Sequence, residues 1–193
     1  MNGINYIIIK ENNTRKTKRI EKKLKTCISK FGPYIIILLK DFEIKFFICN
    51  MKKNTKLDGK GCYFLTNEHN KWIINIYIDN CKYFNVKKIL YHEIGHFADE
   101  VIGCYENNVD FSLDNCKKFC FSITNKQFIY YNKMENDFFT QLNYIENDSI
   151  FFNDLKESFA DCFSELATGC KRFYMERCKS SVYKALLKYC ENS

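Results

Sequence analysis

Two histidines stand four residues apart in the stretch Tyr91–Glu100, in the order His92, Glu93, Ile94, Gly95, His96. On a helix, residues four apart share a face, with Cβ atoms about 5–6 Å apart. Two imidazoles so placed can aim ring nitrogens at one zinc ion, at about 2.0–2.1 Å each. Glu93 projects roughly 100° around the helix, beside such a metal rather than on it. A carboxylate there can take a proton from a water that the metal activates. The chemistry this spacing suits is metal-assisted hydrolysis. The plainer alternative is a helix carrying two hydrogen-bonded histidines, but the whole chain has only 3 histidines and two of them fall in this pattern.

Two histidines and a water leave one position on a catalytic zinc for a third protein ligand, and a carboxylate on a second helix can fill it. The stretch Asp154–Thr168 offers Glu157 and Asp161, four apart and therefore on one face. Glu157 is the candidate ligand. Asp161, one turn later, can accept the other ring N–H of a ligating histidine, which fixes its tautomer. Asp99 is the next candidate if Glu157 does not serve. The bland alternative for Glu157 and Asp161 is a solvated helix face.

These residues need two helices and a framework to hold them. Val86, Leu90, Ile94, Phe97 and Val101 recur at helical spacing, and Ile89, Ala98 and Ile102 widen the apolar surface. The spacing predicts a helix from about Asn85, buried on most sides, with Gly95 open to a neighbouring backbone and Gly103 as its C′ stop. In the second helix Leu155, Phe159, Cys162, Phe163 and Leu166 form the apolar side, and Gly169 suits the stop. Upstream, Ile4–Ile9, Tyr34–Leu39, Glu43–Cys49, Cys62–Leu65 and Trp72–Ile78 read as strands. A helix covers about Thr14–Ser29, Phe31–Pro33 breaks the chain, and Lys52–Lys60 is a polar loop with a turn signal at Asp58-Gly59. Gln127–Leu142 reads as a helix and Asn147–Asn153 as a loop. Nothing firm can be placed in Tyr105–Asn125.

The expected class is α+β: a small mixed sheet with an N-terminal helix, packed on a mostly helical C-terminal half. The 193 residues suggest one domain, an α/β half over about 1–80 and a helical half over about 81–193. With 46% hydrophobic and 17% aromatic residues the chain can bury a core and is not disordered. The net charge of +7 includes a cluster between Arg15 and Lys25. It reads as a solvated helix face, with a patch for nucleic acid or anionic membrane as the alternative. No nucleic-acid motif accompanies it, so no nucleic-acid partner is expected. Eleven cysteines without a Cys-x-x-Cys fit reduced thiols in a cytoplasm. Tyr6–Ile9 is too short for a signal peptide's apolar region, and no run reaches the length of a membrane span. Release by another route, or action inside a host cell, stays open.

The paired stretches His92–Asp99 and Glu157–Asp161 resemble the catalytic domain of anthrax lethal factor and the related Pro-Pro endopeptidases, small single-zinc gluzincins. The likeness covers about Trp72–Thr168. It implies a zincin-like fold, with a substrate-binding edge strand in the α/β half and one zinc between the halves. It implies His92, His96 and Glu157 as zinc ligands and Glu93 as general base and acid. Asp161 would be the partner of a ligating histidine, and Asp99 a structural carboxylate near the site. The family carries a tyrosine shortly before the ligand glutamate, where it donates to the developing oxyanion. Here Ile150, Phe151 and Phe152 occupy that neighbourhood, and Tyr144 is the nearest upstream tyrosine and the candidate for the role. Two functions follow. One is a monomeric zinc endopeptidase acting on an extended peptide paired with the edge strand. The other is a non-catalytic zinc-binding interaction module of the same fold, which the intact Glu93 argues against.

Overall fold

The computed structural model describes residues 3–51, 61–80, 85–124, 149–169 and 176–192. Within them the fold is α+β, with seven helices and a four-stranded mixed sheet. Strand β1 (Asn5–Lys10) leads through α1 (Arg15–Ile28) and α2 (Pro33–Leu39) to β2 (Glu43–Cys49). Strands β3 (Gly61–Glu68) and β4 (Lys71–Asp79) follow as a hairpin. The sheet order is β1-β2-β4-β3, with β1, β2 and β4 parallel and β3 antiparallel at the edge. The hairpin turns on His69 and Asn70, both with positive φ (53° and 63°). That is the two-residue turn whose twist matches paired strands.

One face of the sheet is made by alternation. Ile44, Phe46 and Ile48 of β2 pair in register with Ile74, Ile76 and Ile78 of β4, and all six are buried. Helix α3 (Val86–Glu106) packs on β3 and β4, starting from an Asn85 cap whose side chain accepts from the Lys88 N–H at 3.3 Å. Its whole apolar stripe, Val86, Leu90, Ile94, Phe97 and Val101, is buried. Two short helices, α4 (Leu113–Lys118) and α5 (Phe121–Thr124), lie against it. Helix α6 (Ser149–Thr168) crosses α3, and α7 (Glu176–Glu191) covers α2, α3 and α6. One hydrophobic cluster runs from Ile4 through to Leu186, so sheet and helices share a core.

Two glycines set how closely α3 meets its neighbours. A Cβ on Gly95 would come 2.8 Å from the Ala160 Cα of α6. A Cβ on Gly103 would strike the backbone of Phe119, Cys120 and Phe121. Gly103 is therefore a contact point inside the helix and not its C′ stop. The helix continues to Glu106, where Asn107 caps it and its side-chain amide donates to the Gly103 carbonyl at 2.8 Å. Gly169 does follow the end of α6 in the left-handed region, at φ 69°.

Further expectations need correction. Tyr34–Leu39 is helical, not a strand: Gly32 and Pro33 start a helix with proline at its first turn, and Ile35, Leu38 and Leu39 bury one side at helical spacing. A short apolar run has no periodicity that separates the two. The segment read as a loop over Asn147–Asn153 is already helical from Ser149, so α6 starts before the Asp154 at which a helix was expected. The polar loop Lys52–Lys60 and the helix Gln127–Leu142 lie outside the described residues.

Candidate metal centre

Helix α3 presents Lys88, His92, His96 and Glu100 at four-residue intervals, a single stripe facing a cleft of about 620 Å³. Its opposite wall is the start of the edge strand, with Gly61, Cys62 and Tyr63. Glu157 and Asp161 of α6 close the third side. The helix crossing at Gly95 and Ala160 brings these carboxylates over the histidines, and Ser164 fixes it further by donating to the Lys88 carbonyl at 3.2 Å.

The ligating atoms of His92, His96 and Glu157 all lie within 4.8 Å of one another. His92 Nε2 is 3.1 Å from Glu157 Oε2, and His96 Nε2 is 3.4 Å from Glu157 Oε1. His92 Nδ1 donates to Asp161 Oδ1 at 3.0 Å, so its Nε2 is the nitrogen aimed at the shared point. Lys88 holds the same Asp161 oxygen at 3.5 Å. Two imidazole nitrogens and one carboxylate form a nitrogen–oxygen donor set of the kind zinc accepts. The one ring N–H of His92 that would not face a metal is taken by a carboxylate, as zinc-bound imidazoles require. The residues fit such an ion.

Electrostatics follow from the same contacts. Burial works against charge on His92, but hydrogen bonds to Asp161 and Glu157 outweigh it and raise its pKa to about 9. Glu157 is held well below the usual carboxylate range by its hydrogen bonds to His92 and His96, and Asp161 is lowered chiefly by His92. Glu93 behaves oppositely. It is 5% exposed, and burial raises its pKa to about 7. Gly61 is packed directly on the Glu93 carboxylate, so that any side chain there would collide with it. A carboxylate near neutrality in a cleft beside two histidines can both accept and return a proton.

The structure brings His92, Glu93, His96, Glu157 and Asp161 to one place. Asp99 is elsewhere: it is fully buried, and its two oxygens accept from the Ser122 N–H at 2.7 Å and the Ser122 hydroxyl at 2.6 Å. It ties α5 to α3. Tyr144 lies outside the described residues. Several cleft residues were not anticipated as such, Lys88, Glu100 and Tyr63 among them. Lys88 and Glu100 could have been found by extending the histidine spacing one turn each way. Tyr63, which donates to Glu100 at 2.8 Å, comes from another element and carries no local signal. Compared with known protein families and with curated protein sequences, the chain matches none.

Proposed function

We propose that the protein is a zinc-dependent endopeptidase of the lethal-factor-like, zincin kind. The observation that carries the reading is the convergence of His92 Nε2, His96 Nε2 and the Glu157 carboxylate, with buried Glu93 alongside. When bound there, zinc would polarise a scissile carbonyl and lower the pKa of a water to about 7. The remaining work belongs to the chain. His92, His96 and Glu157 hold the metal, and Asp161 fixes the tautomer of His92. Glu93, buried beside the ligands, takes the proton from the attacking water and passes it to the leaving amine. Strand β3 borders the cleft and, among the described residues, stands at the edge of the sheet. An extended peptide can therefore add to it through main-chain hydrogen bonds.

The test joins metal content to turnover. Purified protein should carry about one zinc per chain and cleave members of a peptide library, with cleavage lost on chelation. Glu93→Gln should keep fold and zinc while cleavage falls about a hundredfold or more, the range for losing a general base. Equal cleavage by wild type and Glu93→Gln at matched zinc would overturn the mechanism. A well-folded protein that neither contains nor takes up zinc would overturn the reading itself.

A further inference from the structure

The net positive charge of this protein is almost all on one helix. The chain has 30 Lys and Arg against 23 Asp and Glu, a net +7. Helix α1 holds five lysines and two arginines against one acid, Glu21, which leaves 23 cations and 22 acids for all the rest. Glu21 is itself taken by Lys10 and Lys25. The opposite face of α1 is spoken for, since Thr17, Ile20, Leu24 and Ile28 are buried in the core. The basic surface continues past the helix end: with Lys23 of α1, Lys30 and, from α3, Lys87 are near enough to Cys27 to lower the pKa of its thiol, against the stronger effect of burial.

The placement of these charges works against the helix that carries them. Arg15, Lys16 and Lys18 crowd the first turn, which contains no acid. Helix dipoles favour anions there, so three cations cost stability. A surface that only needed to be wetted would gain from acids at those positions. A surface that must attract anions would look as this one does.

We propose that α1 is a docking surface for an anionic lipid bilayer, bound peripherally at the headgroups. Helices bearing four to eight Lys or Arg adsorb to such membranes electrostatically. With its apolar side in the core, α1 has nothing to insert, so binding is by charge alone. Its exposed side has no aromatic or large apolar residue to anchor a protein partner. The same lack removes base stacking, and the helix has no Asn or Gln to read base edges. Lysines dominate over arginines, which suits a diffuse field of charge better than bidentate recognition. At 1.5 Å per residue the helix is a rigid rod of about 21 Å, able to lie flat on a plane. The proposal does not depend on the metal centre.

The experiment is vesicle co-sedimentation of the full chain with phosphatidylcholine alone and with phosphatidylcholine mixed with phosphatidylserine. Binding should appear only with phosphatidylserine and vanish as salt rises from about 0.1 M to about 1 M, where the screening length falls to about 3 Å. The triple variant Arg15→Gln, Lys18→Gln, Lys22→Gln should bind about a hundredfold more weakly, about fivefold per residue. Its thermal stability should equal or exceed that of wild type, because Arg15 and Lys18 in the first turn oppose the helix dipole and Lys22 lies away from both ends. A second triple variant, Lys117→Gln, Lys118→Gln, Lys184→Gln, removes the same charge from exposed positions off the patch and should bind as wild type. Equal losses in the two variants would overturn the assignment to α1, as would binding to neutral vesicles or to neither kind. Tighter retention by duplex DNA than by anionic vesicles at one salt concentration would give the surface to nucleic acid and also overturn it.

Discussion

Glu157 and Asp161 stand one turn apart on α6, yet they face different atoms: Glu157 meets Nε2 of both histidines, and Asp161 meets Nδ1 of His92 and the Lys88 ammonium. The two should therefore fail differently. Glu157→Ala removes a ligand and should lose most bound zinc. Asp161→Ala removes only the group that orients His92, and should weaken zinc binding or activity about 10–100-fold. Competition with a chromogenic chelator measures this, with circular dichroism to confirm folding. If Asp161→Ala loses the metal while Glu157→Ala keeps wild-type affinity, the roles are reversed. The spacing in the sequence was enough to put these residues on their faces, because the four-residue interval is a property of any helix. What it could not give is Gly61 against Glu93, or Tyr63 on Glu100, since both contacts depend on how an edge strand reaches α3.

At the scale of elements, α3 was legible because its apolar stripe and cap are local, and β2 and β4 were legible because a short apolar run bounded by polar residues is local too. Tyr34–Leu39 was not, since six apolar residues after a proline suit a strand or a buried helix equally. Gly103 misled for a related reason: a glycine near a helix end can be a stop or a point of contact, and only the Phe119–Phe121 backbone decides between them. The two glycines of α3 give a paired prediction. Gly95→Ala gains helix propensity but forces a methyl onto Ala160, and the overpacking should leave a net cost of about 1–3 kcal/mol. Because Ala160 lies between Glu157 and Asp161, zinc affinity should fall with it. Gly103→Ala collides with the α4–α5 connection instead and should destabilise at least as much while leaving zinc affinity near wild type in the folded fraction. Urea unfolding and chelator competition on the same samples report both quantities. Equal loss of affinity in the two variants would mean that the α3–α6 crossing does not set the site.

Over the whole molecule, sheet and helices share one core, and a carboxyl group sits inside it. Asp99 is 1% exposed, and burial raises its pKa to about 7 despite two hydrogen bonds from Ser122. An unfolded aspartate titrates near 3.9. Between these values the folded state binds the extra proton, so stability is highest below about pH 4 as far as Asp99 is concerned, declines as pH rises towards 7, and is flat beyond. The distance between the two pKa values corresponds to an effect on the order of 4 kcal/mol for this one group. Asp99→Asn keeps the shape, and its carbonyl can still accept from the Ser122 N–H while its amide donates to the hydroxyl. It should therefore remove that pH dependence without unfolding the protein. Asp99→Ala should instead leave the buried Ser122 N–H unpaired, at a cost of about 1–3 kcal/mol at every pH. The measurement is the difference in unfolding free energy between pH 5 and pH 8, in the presence of a chelator so that metal binding does not enter. The other groups that titrate in this range, Glu93 and His92 among them, are common to all three proteins and cancel in the comparison. If wild type and Asp99→Asn lose the same stability between the two pH values, the buried carboxyl is not what couples this fold to protons.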